Sequence, residues 1–216
     1  DAHKAPPVSG LREDQVALRL LFAWRWRGLL GWPAVGPGLC ARGWLRIGSG
    51  STEDEIAHRL TGMEGVESHP VFSPDGRWLA FSSTQNGNAD VFVMPVTGGE
   101  IRQLTWHGAP DYPENWSWDS QTLYFTSERY NQFTSFRVDR QGGTPERMFK
   151  NYFNTPHHMA EHPDDGSLYF TESWESYRFP QRKRYRGAHN PDIKSYHPQT
   201  GEYAEHTSFE GKDLWP

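Results

Sequence analysis

Cysteine is almost absent from this 216-residue chain: Cys40 stands alone, so no internal disulfide can hold the fold. Aliphatic residues are scarce too. Hydrophobic residues are 35% of the chain and aromatics 14%, beside 21 glycines and 16 prolines. A helical bundle would need more Leu and Ala; this composition points to short strands joined by tight turns. No run of about 18 apolar residues exists, so no membrane-spanning helix is expected. Positive charge is not in excess either. The 22 Lys and Arg against 27 Asp and Glu give a formal net charge of -5, which argues against nucleic acid as the main partner. The chain opens on Asp1 rather than Met, so the lack of a signal peptide says nothing about the parent protein. A single thiol fits a reducing compartment, and the expected location is cytoplasmic, with the periplasm as the alternative.

What the chain does have is a repeat. One unit runs through Thr61-Gly62, His69-Pro70-Val71-Phe72-Ser73-Pro74-Asp75-Gly76, Trp78-Leu79-Ala80-Phe81-Ser82, Asp90-Val91-Phe92-Val93-Met94, Gly98-Gly99 and Ile101-Arg102-Gln103-Leu104-Thr105. Its landmarks recur 44 positions later: Thr61 maps to Thr105, Ser73 to Ser117, Phe81 to Phe125, Phe92 to Phe136, and Gly98-Gly99 to Gly142-Gly143. A third unit shows His162-Pro163-Asp164-Asp165-Gly166 followed by Leu168-Tyr169-Phe170-Thr171. A period of about 40–50 residues is that of propeller blades.

The physics of one unit is legible. Ser73-Pro74-Asp75-Gly76 suits a tight turn, with Pro fixing φ and Gly tolerating the exit. Trp78 to Phe81 is then a short strand buried on both faces, Ser82 to Ala89 a loop, and Val91 to Met94 a third strand. Gly98-Gly99 is a hairpin turn and Ile101 to Thr105 an outer fourth strand. Such a unit cannot cover its own faces and must stack radially on neighbours. In the second unit Ser117-Trp118-Asp119-Ser120 replaces Ser-Pro-Asp-Gly, so its turn is expected to differ. The fold class is therefore all-β, a β-propeller fragment of about three recognisable four-stranded blades. About three blades fall short of the four or more that closure takes, so the propeller is expected to be truncated.

The Ser-Pro-Asp-Gly-Arg-Trp-Leu-Ala-Phe string, with Asp-Val-Phe-Val-Met and Gly-Gly after it, resembles the repeat of TolB-like proteins, dipeptidyl-peptidase propellers and tricorn proteases. The third unit narrows this. Glu172-Ser173-Trp174-Glu175-Ser176, Arg182-Lys183-Arg184-Tyr185, Asn190-Pro191-Asp192-Ile193-Lys194-Ser195-Tyr196, Thr200-Gly201-Glu202 and Glu210-Gly211-Lys212-Asp213-Leu214-Trp215-Pro216 resemble the N-terminal propeller of bacterial tricorn-protease homologues, over about residues 51–216. The resemblance implies a non-catalytic propeller that guides or filters peptides towards a serine peptidase domain in the same parent. None of the family's catalytic residues has a counterpart here. The alternatives are a TolB-like scaffolding propeller and the propeller of a dipeptidyl-peptidase-like enzyme.

The expected organisation is an anomalous segment, 1–50, then a partial propeller, 51–216. The propeller holds a blade end at 55–61, blades at about 62–105, 106–149 and 150–207, and the start of another at 208–216. From Gln15 to Thr52 there is no Asp, Glu, Lys or Asn, while Trp24, Trp26, Trp32 and Trp44 crowd in. Out-of-frame translation or disorder is one account of this. A native amphipathic segment around Val16 to Phe22 is the other.

Several motifs carry chemistry only in appearance. His158-Met159-Ala160-Glu161-His162 fits the H-x-x-E-H metalloprotease pattern, which needs a helix. Here it runs into a turn from a strand position, where residues four apart stand about 13 Å from each other, too far for one metal ion. Gly48-Ser49-Gly50 lacks the Gly-x-Ser-x-Gly frame of a nucleophile elbow and suits a flexible turn. Cys40 has no partner histidine in a recognisable element. No catalytic residue, metal or cofactor is therefore expected. The candidate binding residues are Arg178, Arg182, Lys183, Arg184 and Arg186, interleaved with Tyr177, Phe179 and Tyr185 in an insertion of the third unit. The ordinary reading of such a run is a solvated loop. The functional one is a recognition loop at the propeller mouth, with Arg forks for a peptide carboxylate or a neighbouring domain. Expected partners are peptides or unfolded polypeptide, downstream domains of the parent, and a second copy of the parent.

Overall fold

The computed structural model describes residues 48–50, 57–130, 133–150, 155–173, 190–208 and 211–213. The chain divides into two units, Asp1–Gly62 and Met63–Pro216. In the first, β1 (Gly48–Gly50) pairs antiparallel with β2 (Ala57–Arg59). Gly48-Ser49-Gly50 is thus a strand and not a turn. Pairing there is a backbone property, and the absence of patterned side chains hid it from the sequence. The rest of the anomalous segment, residues 1–47, and the linking residues 51–56 lie outside the described residues.

The second unit holds three four-stranded antiparallel sheets. The first is β3 (Glu67–Phe72), β4 (Trp78–Ser83), β5 (Asp90–Pro95) and β6 (Arg102–Gln103); the second is β7 (Asp111–Trp116), β8 (Thr122–Ser127), β9 (Thr134–Asp139) and β10 (Glu146–Arg147). The third is β11 (Pro156–Glu161), β12 (Leu168–Glu172), β13 (Asp192–Tyr196) and β14 (Tyr203–Glu205). Each sheet runs in chain order from its first strand to its fourth. No helix occurs among the described residues, so none crosses a membrane. The outer strand β6 is only two residues long, shorter than the Ile101 to Thr105 span expected from sequence.

The turn after each inner strand explains why blades repeat. In the first blade the Ser73 hydroxyl donates to Asp75 Oδ1 (2.5 Å), the Arg77 amide donates to the same oxygen (3.0 Å), and the Trp78 amide donates to Ser73 Oγ (2.9 Å). Ser117, Asp119, Gln121 and Thr122 make the same three bonds at 2.6, 3.0 and 2.8 Å. The second turn therefore keeps the first turn's geometry, against the sequence expectation. The Ser and Asp side chains define it; Pro and Gly are dispensable. Ser120 takes φ 61° where Gly76 takes 68°, a strained choice for a residue with a Cβ. Its hydroxyl is fixed by the Asp75 amide of the neighbouring blade, 3.2 Å away.

Blades meet through apolar faces. Phe81 and Phe92 pair in register within the first blade with centroids 5.9 Å apart, and Phe125 and Phe136 repeat this at 5.7 Å in the second. Between them lies one cluster: Ala80, Val91 and Val93 from the first blade against Trp116, Leu123 and Phe125 from the second. Trp116 also donates its Nε1–H to the Val71 carbonyl at 3.1 Å. The next junction packs Tyr124 and Phe149 against Met159, Leu168 and Phe170.

Each inner strand carries a bulge at the same place, between Ser68 and Val71, Pro113 and Asn115, and His157 and Ala160. His69 and His158 occupy these bulges at φ 51° and 55°. Glu114, in the middle bulge, ties two blades together. Its Oε1 accepts from the His158 amide (2.8 Å) and from the Thr126 hydroxyl, and its Oε2 accepts from the Met159 amide and the Ser135 hydroxyl, both at 3.3 Å. Part of the side chain stays accessible, yet the carboxylate is enclosed by these donors, and burial pushes its pKa up. Beside it, His157 is wholly buried, its ring edge-on to Phe133 at 5.4 Å and its Nδ1 2.8 Å from the Thr155 carbonyl. Burial, with the charge of His158, lowers its pKa to about 3.

Two outcomes follow from this packing. Replacing Trp116 with Ala leaves a cavity and an unpaired Val71 carbonyl, and is expected to cost about 3–5 kcal/mol in urea unfolding; a loss near zero would show that the junction carries little of the stability. The second concerns pH. His157 is neutral when folded and titrates near 6.5 when unfolded, so its contribution is complete above pH 6.5 and is lost as pH falls towards 3. A His157→Phe variant keeps a ring against Phe133 and should lose less stability than the parent chain over that window. Glu114 acts in the opposite sense: its raised pKa favours the folded state at low pH and withdraws that support as pH rises above 4.5.

Candidate functional site

The connections of the second unit fall at two ends. The turns described above lie at one end. At the other, β4 leads to β5 from Ser83 to Asp90, β8 leads to β9 from Ser127 to Thr134, and β12 leads to β13 from Glu172 to Asp192, each pair of end residues in direct register. The links between successive blades also return here, since Asp111, which opens β7, donates its amide to the Ala89 carbonyl at 2.8 Å.

This loop end has a rigid base. Asp111 is buried and forms an ion pair with Arg129 Nη2. The guanidinium of Arg129 lies over Phe136 and Phe125, 5.0 and 5.4 Å from the ring centroids. Burial pushes the Asp111 carboxyl up. Asp90, buried in the first blade, is raised by burial and by the charge of Asp111. Its Oδ2 accepts from Gln103 Nε2 at 3.0 Å, while Thr105 Oγ1 accepts from the Val91 amide at 2.9 Å. Thr207 repeats the latter bond to the Ile193 amide at 2.9 Å in the third blade. Asn88 donates its side-chain amide to the carbonyls of His107 (2.7 Å) and Ala109 (3.2 Å), pinning the blade-to-blade link over the β4–β5 loop. The Asp111–Arg129 pair, with buried Asp90 close enough for the two carboxylates to influence each other, thus fixes where the loops start.

Above that base the surface is aromatic. Trp106 is 67% exposed and Tyr130 49% exposed, with Val66 nearby in the chain's entry to β3 at 44%. Arg147 lies 3.7 Å over the Tyr130 ring. Exposed Trp and Tyr offer large contact area at low entropy cost. Sequence reasoning passed over Trp106 and Tyr130, because their types suit a core and only the fold shows them outside it. The one available signal was position: Trp106 directly follows Thr105, the last landmark of its unit.

The candidate residues from sequence, Arg178, Arg182, Lys183, Arg184 and Arg186, lie outside the described residues, as do Tyr177, Phe179 and Tyr185. The strands on either side are described. Glu172 and Asp192 pair at the root of the connection, and Lys194 Nζ bonds Glu172 Oε2 at 3.0 Å. The H-x-x-E-H string occupies β11 and its turn, not a helix. Its glutamate, Glu161, accepts the Tyr124 hydroxyl proton at 2.7 Å, and the backbone of His158 is held by Glu114. Among the described residues no group of His, Cys, Asp and Glu is arranged to hold a metal ion.

The fold is shared widely. The structure superposes on the crystal structure of the tricorn protease with a TM-score of 0.61 at 15% identity, covering 77% of this chain and 17% of that one. It superposes on a putative TolB from Agrobacterium tumefaciens with a TM-score of 0.60 at 16% identity, covering 82% and 64%. In sequence the chain is 39% identical over 68 residues to tricorn protease homolog 1 of Streptomyces coelicolor, which is 31% of this chain and 6% of that protein. The chain thus spans only a minor part of such curated relatives. Residues 47–216 match the tricorn protease N-terminal beta propeller domain. That match begins just before β1 and runs through all three blades, and on it the chain belongs to the tricorn protease N-terminal β-propeller family.

Proposed function

We propose that this chain is a non-catalytic propeller segment that takes up peptides or unfolded polypeptide at its loop end and directs them to a serine-type peptidase domain elsewhere in the parent protein. The observation that carries this reading is the root of the β12–β13 connection. Glu172 and Asp192 stand at the same end of the sheets as the exposed Trp106 and Tyr130, and Arg178, Arg182, Lys183, Arg184 and Arg186 fall in sequence within the connection that these two residues bound. Guanidinium forks bind carboxylates bidentately, and aromatic faces take apolar side chains of any sequence, a combination suited to varied peptides with a free C-terminus.

A second reading is a TolB-like scaffold, supported by the fold likeness to the Agrobacterium protein. It calls for a folded partner and no dependence on a peptide terminus.

The chain by itself should bind fluorescent peptides without cleaving them. Replacing Arg182, Lys183 and Arg184 together with Ala should weaken a peptide with a free carboxylate by about tenfold or more, leave its C-terminal amide unchanged, and leave the thermal midpoint where it was. Equal loss for acid and amide would remove the carboxylate role. Tight binding of a folded partner with no peptide binding would favour the scaffold.

A further inference from the structure

Where the first blade hands the chain to the second, two buried carboxylates share the space with one guanidinium. Asp90 opens β5 and is 3% exposed; Asp111 opens β7 and is 0% exposed, in its ion pair with Arg129. The Asp111 amide donates to the Ala89 carbonyl at 2.8 Å, which sets the two acidic residues side by side. Thr105 stands close to both carboxylates, and its Oγ1 accepts from the Val91 amide at 2.9 Å. Asp90 Oδ2 accepts from Gln103 Nε2 at 3.0 Å, and Asp111 Oδ2 accepts from Arg129. The Oδ1 atom of each is enclosed and has no hydrogen-bond partner among the described residues. An enclosed carboxylate oxygen without a donor is costly, and the single Thr105 proton can serve only one of the two. A metal cation in that place would face the Arg129 guanidinium.

The arrangement occurs twice. Asp192, Thr207 and Asp213 have the same spacing as Asp90, Thr105 and Asp111. The bonds recur with the spacing: the Ile193 amide donates to Thr207 Oγ1 at 2.9 Å, and the Asp213 amide donates to the Pro191 carbonyl at 3.1 Å. Asp192 Oδ1 is again enclosed without a partner. The second blade has Thr134, Phe149 and Thr155 at the matching positions, so the blade fold itself does not call for the acids. Burial, with the neighbouring carboxylates adding to it, holds Asp90 and Asp192 above the usual carboxylate range. The charged groups acting on Asp90 are Asp111 and Arg129, and Glu67 stands two strands across in the same row. Those acting on Asp192 are Glu205, Asp213 and Lys194, the last also bonded to Glu172.

We propose that each Asp–Thr–Asp set is a proton-held latch: Asp90 and Asp192 carry one proton, donate it to the threonine oxygen, and leave the threonine hydroxyl to bond Asp111 and Asp213. The proton supplies the donor that the set lacks and leaves Asp111 as the anion for Arg129. Its loss as pH rises sets two carboxylates against each other beside the Asp111–Ala89 and Asp213–Pro191 bonds, and loosens the chain link there. The inference does not rest on the peptide-uptake reading. Carboxyl-detected NMR titration of the whole chain, with amide exchange at Asp111 and Asp213 read in parallel, tests it. Asp90 and Asp192 are expected to keep their protons above the ordinary value of 3.8. Protection of the two amides, corrected for intrinsic rate, should fall as pH rises through each titration, by about tenfold per unit of upward displacement. Asp90→Asn and Asp192→Asn keep a donor towards the threonine at every pH, so protection at the matching amide should no longer follow pH. If a variant fails to fold, the titration of the parent chain decides. Titration of either aspartate at or below 3.8, or the same loss of protection in its folded Asn variant, would overturn the proposal.

Discussion

A blade of four short strands has two faces and no means of covering either. Along β4, Leu79 and Phe81 point to one side and Ala80 to the other, and all three are fully buried. The free energy of each sheet therefore resides largely in the sheets beside it, as in other stacked-repeat architectures. Everything else in the second unit serves that contact. In the first two blades the Ser–Asp turns return the chain and the in-register Phe pairs stiffen the sheets, and Trp116 and Glu114 fix neighbouring sheets against each other. The turn carboxylates match this role: the Ser117 hydroxyl and the Gln121 amide hold Asp119 below the usual carboxylate range, so the turn stays ionised and closed.

Much of this was legible in the sequence because the repeat is carried by residues with local jobs. Ser73 and Ser117, Phe81 and Phe125, and the paired glycines each act within a few residues of themselves, so their spacing survives as a readable period. What the sequence did not yield was set by contacts across blades. Nothing about Glu114 marks it as a bridge to a strand more than forty residues away, and nothing about Ser120 shows that it accepts a positive φ. Gly48-Ser49-Gly50 was invisible as a strand because its pairing involves no patterned side chain. The departure at Ser117-Trp118-Asp119-Ser120 misled for a related reason: Pro and Gly are the conspicuous turn residues, while the bonds that make this turn come from Ser and Asp. The loop-end surface was half legible. The basic run announced itself by charge, whereas Trp106 and Tyr130 required the fold to show which large aromatics stand in solvent.

The division between the two ends follows the same economy. Around Asp90, Asp111 and Arg129 the second blade's own ion pair stands beside a buried carboxylate of the first blade, with the Asp111 amide bonded to the Ala89 carbonyl across the junction, and the connections above them differ in length. The β4–β5 and β8–β9 loops are short, while the β12–β13 connection spans residues 173–191. Variation of connection length at one end, over sheets that repeat, is how a common scaffold comes to hold different surfaces.

The bridge from Glu114 to the His158 and Met159 amides has a bearing on how such chains change over generations. Duplicated units are often pictured as interchangeable bricks. Here the backbone irregularity of one blade is completed by a carboxylate that only the preceding blade supplies, and where Trp116 pairs with Leu123 in the second blade, Glu161 pairs with Leu168 in the third, so the two junctions are chemically unlike. Each blade thus carries an address for its successor. A chain in which a single unit was shuffled, deleted or inserted would mismatch those addresses, and its bulge would be left without the carboxylate that completes it.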